Sequence, residues 1–155
     1  MLPENPLQEN YKPMDLQFIL NTPTSHLISP ENLHKISIAP MFDVTNTHFR
    51  FFMRLITRCA TLWTEMIHYS ALHENEQKRD FELRFHPCEQ PVVCQIGGSD
   101  PDLLGSSSNY VRKAGYAELN LNVGCPSSKV QKGCFGAILM KSENRDTLVS
   151  SIDSM

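Results

Sequence analysis

Residues 91–101, Pro91-Val-Val-Cys-Gln-Ile-Gly-Gly-Ser-Asp-Pro101, read as a short, largely apolar strand, a double-glycine break and the start of a helix. Ser99 or Asp100 can cap that helix, with Pro101 at its first position and Gly115 as its stop. The same strand-then-helix unit repeats on both sides. Upstream, Ile36 to Ala39 is a short strand ended by Pro40. Thr47 to Arg58 follows as a helix whose Phe49, Phe52, Met53 and Ile56 fall at the spacing of an inward apolar stripe. Thr61 to Met66 alternates like a strand, and Ala71 to Arg84 is a polar helical or irregular stretch that stops at His86-Pro87. Downstream, Ala117 to Asn122 alternates Leu119 and Leu121 with polar residues as a fourth strand. A loop rich in Gly and Cys comes next, and Ser142 opens a last helix.

Strands beginning near residues 36, 61, 91 and 117, with helical segments between them, indicate parallel βαβ units. Two architectures build such units into a closed core: an open doubly wound sheet and a (β/α)8 barrel. The first strand is not followed by the G-x-G-x-x-G turn of the open sheet. The unusual residues instead gather after the strands, at Pro40-Met41, Glu65-Met66, Gln95, Asn122 and Cys125, positions that converge on the catalytic face of a barrel. A whole barrel takes about 250 residues. The expectation is therefore an α/β fold, the N-terminal half (about four βα units) of a (β/α)8 TIM barrel, over residues 35–155.

Residues 1–34 carry Pro3, Pro6, Pro13, Pro23 and Pro30 among polar side chains and read as a disordered or irregular leader without a core, with a short helix near Asp15 to Leu20. The chain has 14 Lys+Arg against 17 Asp+Glu, a net charge of −3, which rules out nucleic-acid binding through bulk positive charge. Apolar runs such as Phe49 to Ile56 are broken by arginines and fall far short of the ~20 residues of a membrane helix, so no membrane partner is expected. The N-terminus has neither the basic-then-apolar pattern of a secretory signal nor the arginines of a mitochondrial presequence. Five cysteines with no CxxC pair argue against a disulfide framework and a zinc ribbon, and fit a reducing compartment. The six histidines form no H-x-x-x-H pattern, so no metal site is expected. The expected location is cytoplasmic, with an organelle as the alternative.

Four segments carry a specific resemblance. They are Ile38-Ala-Pro-Met-Phe-Asp-Val-Thr-Asn-Thr-His-Phe-Arg50, Trp63-Thr-Glu-Met66, Val93-Cys-Gln-Ile-Gly-Gly-Ser-Asp-Pro101, and the long run from Leu119 through Asn122-Val-Gly-Cys-Pro126 to Met140. In order and spacing they resemble the tRNA-dihydrouridine synthases, nearest the A-type (20/20a) branch, from about Lys35 onward. The resemblance implies a TIM barrel with FMN at its C-terminal face, reduced by NADPH, and transfer of hydride to C6 of a uridine in the D-loop of tRNA. It makes Cys125 the proton donor to C5. A free thiol, with an ordinary pKa of about 8.5, stays protonated at neutral pH yet can release a proton to a developing carbanion. Apart from the resemblance, a lone cysteine reads as a small buried apolar residue. The same likeness assigns Pro40, Met41, Phe42 and Gln95 to the flavin ring, and Gln95 offers both a donor and an acceptor for a pyrimidine edge. Asn122 falls beside the target nucleotide. Lys129 and Lys132, with Arg50 as a further candidate, are read as RNA phosphate contacts. Glu65 is left open between a site carboxylate and the partner of an arginine.

The sequence also departs from that family. The fifth-strand Lys and following His, the glycine loops for the flavin phosphate and the C-terminal helical domain have no counterpart in residues 1–155. Cys134 stands where the branch usually has Arg, and His68-Tyr69 replaces small residues. Half a barrel leaves unpaired strand edges and an uncovered interior, which favours a complementing C-terminal half or oligomerisation through the edges. The matching expectation is a truncated product that keeps the donor cysteine and binds FMN weakly. Two functions stay in play: the flavin-dependent tRNA reductase, and an inactive half-barrel serving as an RNA-associated or partner-completed module. A different flavin barrel acting on a small pyrimidine or enone is a weaker third.

Overall fold

The Asn46 side chain opens the first helix by accepting hydrogen bonds from the His48 and Phe49 N–H groups at 3.0 and 3.1 Å. The helix, α1, spans Thr47–Ile56 in a computed structural model that describes residues 35–155. The leader, with its expected helix near Asp15 to Leu20, lies outside the described residues. After α1 come β1 (Leu62–His68), α2 (Tyr69–Glu74), α3 (Glu76–Glu82), β2 (Val92–Gly97), α4 (Pro101–Ala114), β3 (Glu118–Leu121), α5 (Ser128–Lys132) and α6 (Arg145–Ser154). Short 3-10 turns at Pro87–Glu89, Gly136–Met140 and Ser142–Asn144 join them.

All three strands are parallel, in the order β1-β2-β3. A parallel bridge between Ser37 and Thr61 adds the segment before Pro40 on the far side of β1. Spatial order thus follows chain order, as in a barrel, where a doubly wound sheet would reverse it. The described residues form the N-terminal half, about four βα units, of a (β/α)8 TIM barrel.

Two expectations are corrected. The segment Ile36 to Ala39 pairs only through that bridge, with Ile38 N–H on Thr61 O at 2.9 Å and Thr61 N–H on Ile36 O at 2.8 Å. It lies at the edge, and Ile36 is exposed, so no packed face extends the pairing. The second correction is α1. Phe52 (58% exposed) and Ile56 (64%) point outward, while Arg50 (3%) and Arg54 (2%) are buried. Glu89, itself 1% exposed, is the cause. Arg50 Nε meets its Oε2 at 2.7 Å, and Arg50 Nη1 donates to Thr45 O at 2.7 Å. Arg54 Nη2 donates to Glu89 O at 2.8 Å. A buried carboxylate requires a cation, and that demand overrides the pull of an apolar stripe.

The core lies between the sheet and the helices. Cys94 and Ile96 of β2 and Ile67 of β1 pack on Leu72, Leu104 and Val111, with Leu119 and Leu121 of β3 alongside. By strand alternation Gln95, Asn120 and Asn122 face the other way, into the barrel interior. The β1–β2 register slips by one residue between Trp63 and Met66: Trp63 is opposite Val93, but Met66 is opposite Gln95. Asp100 caps α4 through Leu103 N–H, and Gly115, at φ 86°, closes it in the left-handed conformation. The expected loop after β3 is partly helical. Its α5 and the Gly136–Met140 turn enclose a second apolar cluster of Val130, Phe135 and Leu139. No helix among the described residues is long and apolar enough to cross a membrane.

Candidate active site

Gln95 sits at the carboxyl end of β2, 7% exposed, directly opposite Asn120 of β3. The register slip leaves its backbone N–H without a regular ladder partner, and the N–H donates instead to Thr64 Oγ1 at 3.0 Å. The side chain Nε2 donates to Asn120 Oδ1 at 3.0 Å, and Oε1 accepts from Asn122 Nδ2 at 2.9 Å. Asn122 Oδ1 in turn accepts from the N–H groups of Gly124 (3.2 Å) and Cys125 (3.0 Å). A single side chain therefore ties β2 to the loop bearing the thiol.

Cys125 is half-buried and packs against the Val130, Phe135 and Leu139 cluster. Its carbonyl accepts from Ala137 N–H at 3.0 Å, which folds the loop back on itself. Gly136 makes that closure possible: at φ 67° it would, with a side chain, clash with Val130 Cγ1 and stand 2.7 Å from Cys125 O. All five cysteines are free thiols. Cys94 differs sharply from Cys125, since full burial pushes its thiol up to about 12 and keeps it inert.

The loop after Pro40 closes on itself. Met41 N–H donates to Thr45 Oγ1 at 3.0 Å, and Met41 O accepts from Val44 N–H, Thr45 N–H and Thr45 Oγ1. The Met41 backbone is thus engaged within its own turn, while the Met41 and Phe42 side chains are exposed. Glu65, left open by the sequence, accepts from Asp43 N–H at 2.6 Å and pins this loop to β1. Both belong to a cleft of about 370 Å³ that also takes in Phe42, Arg84 and Phe81. Gln95, Asn122 and Cys125 do not line it. The rim thus has two parts, a loop-and-carboxylate part and an amide-and-thiol part.

Lys129 and Lys132 are exposed on α5, just after the Cys125 loop. Arg50 is held by Glu89 and is not presented to a phosphate. His68 ends β1 against Tyr69 and Phe135, and its Nδ1 accepts from Ser70 N–H at 3.3 Å, capping α2. Burial lowers its pKa below the ordinary value. Asn120 and Thr64, which hold Gln95, were not singled out from sequence. Asn120 was within reach of such a reading, because it lies two residues from Asn122 and so shares its face.

Side chains of this kind at the strand ends of a parallel βα array place the chain among barrels whose chemistry sits on the carboxyl-terminal rim. The family described as dihydrouridine synthase (Dus) matches residues 37–155, and the chain belongs to it. A Synechocystis protein named tRNA-dihydrouridine(20/20a) synthase is 46% identical over 114 residues, covering 74% of this chain and 34% of its own length. Proteins of the same name from Haemophilus ducreyi and Escherichia coli are 47% and 46% identical, covering 78% and 75% of this chain and 36% and 34% of their own. The chain spans about a third of the length of the curated relatives it matches.

Proposed function

We propose that this chain supplies the uridine-facing rim of a tRNA-dihydrouridine synthase, reducing a D-loop uridine to 5,6-dihydrouridine with Cys125 as the proton donor to C5. The observation that carries the reading is the side chain of Asn122, which holds Gln95 and the Cys125 backbone together at one rim. Gln95 fits a flavin edge: among the described residues each of its amide atoms uses one of two bonding capacities, leaving one N–H and one lone pair. When bound, FMN supplies hydride chemistry, with NADPH as its reductant. Pro40, Met41 and Phe42 would border the ring from the opposite side of the rim through their side chains. Cys125 would hand a proton to C5 of a base extruded from the RNA stack. Lys129 and Lys132 would meet the RNA phosphates and set its register.

The test incubates the chain with FMN, NADPH and unmodified tRNA and measures dihydrouridine by mass spectrometry. Wild type is expected to form it. Cys125→Ala should lose it while still oxidising NADPH through the flavin, and unchanged dihydrouridine in this variant overturns the role of Cys125.

A second reading draws on the exposed Phe52, Ile56, Val149 and Ile152, which leave apolar side chains uncovered on α1 and α6. It takes the half-barrel as a module that holds RNA and works only when completed by further polypeptide. Flavin titration separates the two. Binding at one FMN per chain supports catalysis here; tRNA binding without flavin supports the module.

A further inference from the structure

The orientations of three amide side chains at the rim follow from two groups that cannot rotate. The backbone N–H groups of Gly124 and Cys125 both point at one atom of Asn122, so that atom is its oxygen. The nitrogen of Asn122 then faces Gln95, and the atom that receives it is Gln95 Oε1. Gln95 Nε2 is left facing Asn120, where only Oδ1 can accept. Reversing any one amide would set donor against donor or acceptor against acceptor, in a place where Gln95 is shielded from water.

We infer that Asn120 is a positioning residue for the Cys125 loop: its oxygen anchors a relay from β3 through Gln95 to Asn122, and so fixes both the loop and the donor–acceptor order that Gln95 presents at the rim. The importance of that order for a bound heterocycle rests on the function proposed above. The relay itself does not, and the experiment that tests it needs neither flavin nor tRNA. Failure to form dihydrouridine would count against the function and leave the relay standing.

The experiment follows amide hydrogen exchange by NMR in the ¹⁵N-labelled full chain, together with alkylation of Cys125 by iodoacetamide. Asn120→Leu keeps the size and removes the acceptor; Asn120→Asp keeps the acceptor. In Asn120→Leu, exchange at the Gly124 and Cys125 N–H groups and alkylation of Cys125 should each speed up about tenfold, the worth of one hydrogen bond. Asn120→Asp should stay within about twofold of wild type. Unchanged exchange along α4 reports an intact fold in both. Wild-type loop exchange in a folded Asn120→Leu chain, or equal behaviour of the two variants, overturns the inference. Should Asn120→Leu not fold, the unmodified chain decides: one Gln95 Nε2 proton should exchange about tenfold more slowly than the other, and equal rates overturn the inference.

Discussion

Two polar clusters lie in this half-barrel, one buried around Glu89 and one half-buried around Gln95, and they are built in opposite ways. Below the sheet, Glu89 receives Arg50 at 2.7 Å and the His86 N–H at 2.8 Å, while its carbonyl takes Arg54 at 2.8 Å. That cluster is charged, and its carboxylate is engaged at both oxygens. At the rim, Gln95, Asn120 and Asn122 are neutral and leave bonding capacity unused. A buried carboxylate left alone is intolerable, so Glu89 is bonded at both oxygens and has nothing to offer a ligand, although Arg54 Nε beside it is buried without a partner among the described residues. Neutral amides survive with a bond to spare, and the spare bond is what a ligand can use. Burial of polar groups therefore does not mark a site in this protein, and neither does the unpartnered Arg54 Nε; spare capacity on neutral amides at the rim does.

The harshest way to break the comparison is Glu89→Ala, which strands the buried Arg50 and leaves Arg54 only the backbone carbonyl at position 89. It should cost about 3–5 kcal/mol, a large share of a domain's stability, read as a fall in the urea midpoint. A midpoint that stays put would mean the lower cluster is not the tie described. Cys125→Ala should show the reverse pattern. Where dihydrouridine is formed, its rate should drop about 10²–10⁴-fold, while stability moves by less than about 1 kcal/mol.

Gly136→Ala sharpens the rim side. Its strained conformation and the approach to Cys125 O should cost about 1–3 kcal/mol, with faster alkylation of Cys125 as the loop loosens. Stable protein with wild-type alkylation would show that the turn does not hold the thiol.

The smallest effect is on pH. Burial lowers the folded pKa of His68, so as pH falls the unfolded chain takes up its proton first. The stability contributed by the neutral ring is complete above the unfolded value of about 6.5 and is lost as pH drops through it toward the folded value. Urea midpoints at pH 7.5 and 5.5 should differ less in His68→Asn, which keeps a cap acceptor, than in wild type. An identical difference would remove His68 from the pH response.

The helix after Gly97-Gly98 was legible because its cap, first-turn proline and terminal glycine are local signals, and Asp100, Pro101 and Gly115 all act as such. The parallel order was legible from strand spacing. The facing of α1 was not, because periodicity locates a stripe without saying which partner it meets, and the deciding residue, Glu89, lies far along the chain. Glu65 was undecidable for a related reason. Simple alternation assigns faces only in a regular strand, and β1 carries an extra residue between Trp63 and Met66. At the site, Gln95, Asn122 and Cys125 are brought together, whereas Phe42 lies in the neighbouring cleft and Arg50 is taken into the ion pair.

That extra residue divides β1 into two separately phased halves. Leu62 and Ile67, an odd number of positions apart, both end up opposite residues on the helix side of β2, Val92 and Ile96. A one-codon deletion between them would restore an uninterrupted ladder with both side chains still on the helix side, since Val92 and Ile96 are themselves an even number of positions apart. What it would remove is the irregular stretch from which Thr64 Oγ1 meets the Gln95 N–H and Glu65 meets the Asp43 N–H. The extra residue in this strand thus serves the rim and not the packing behind the sheet.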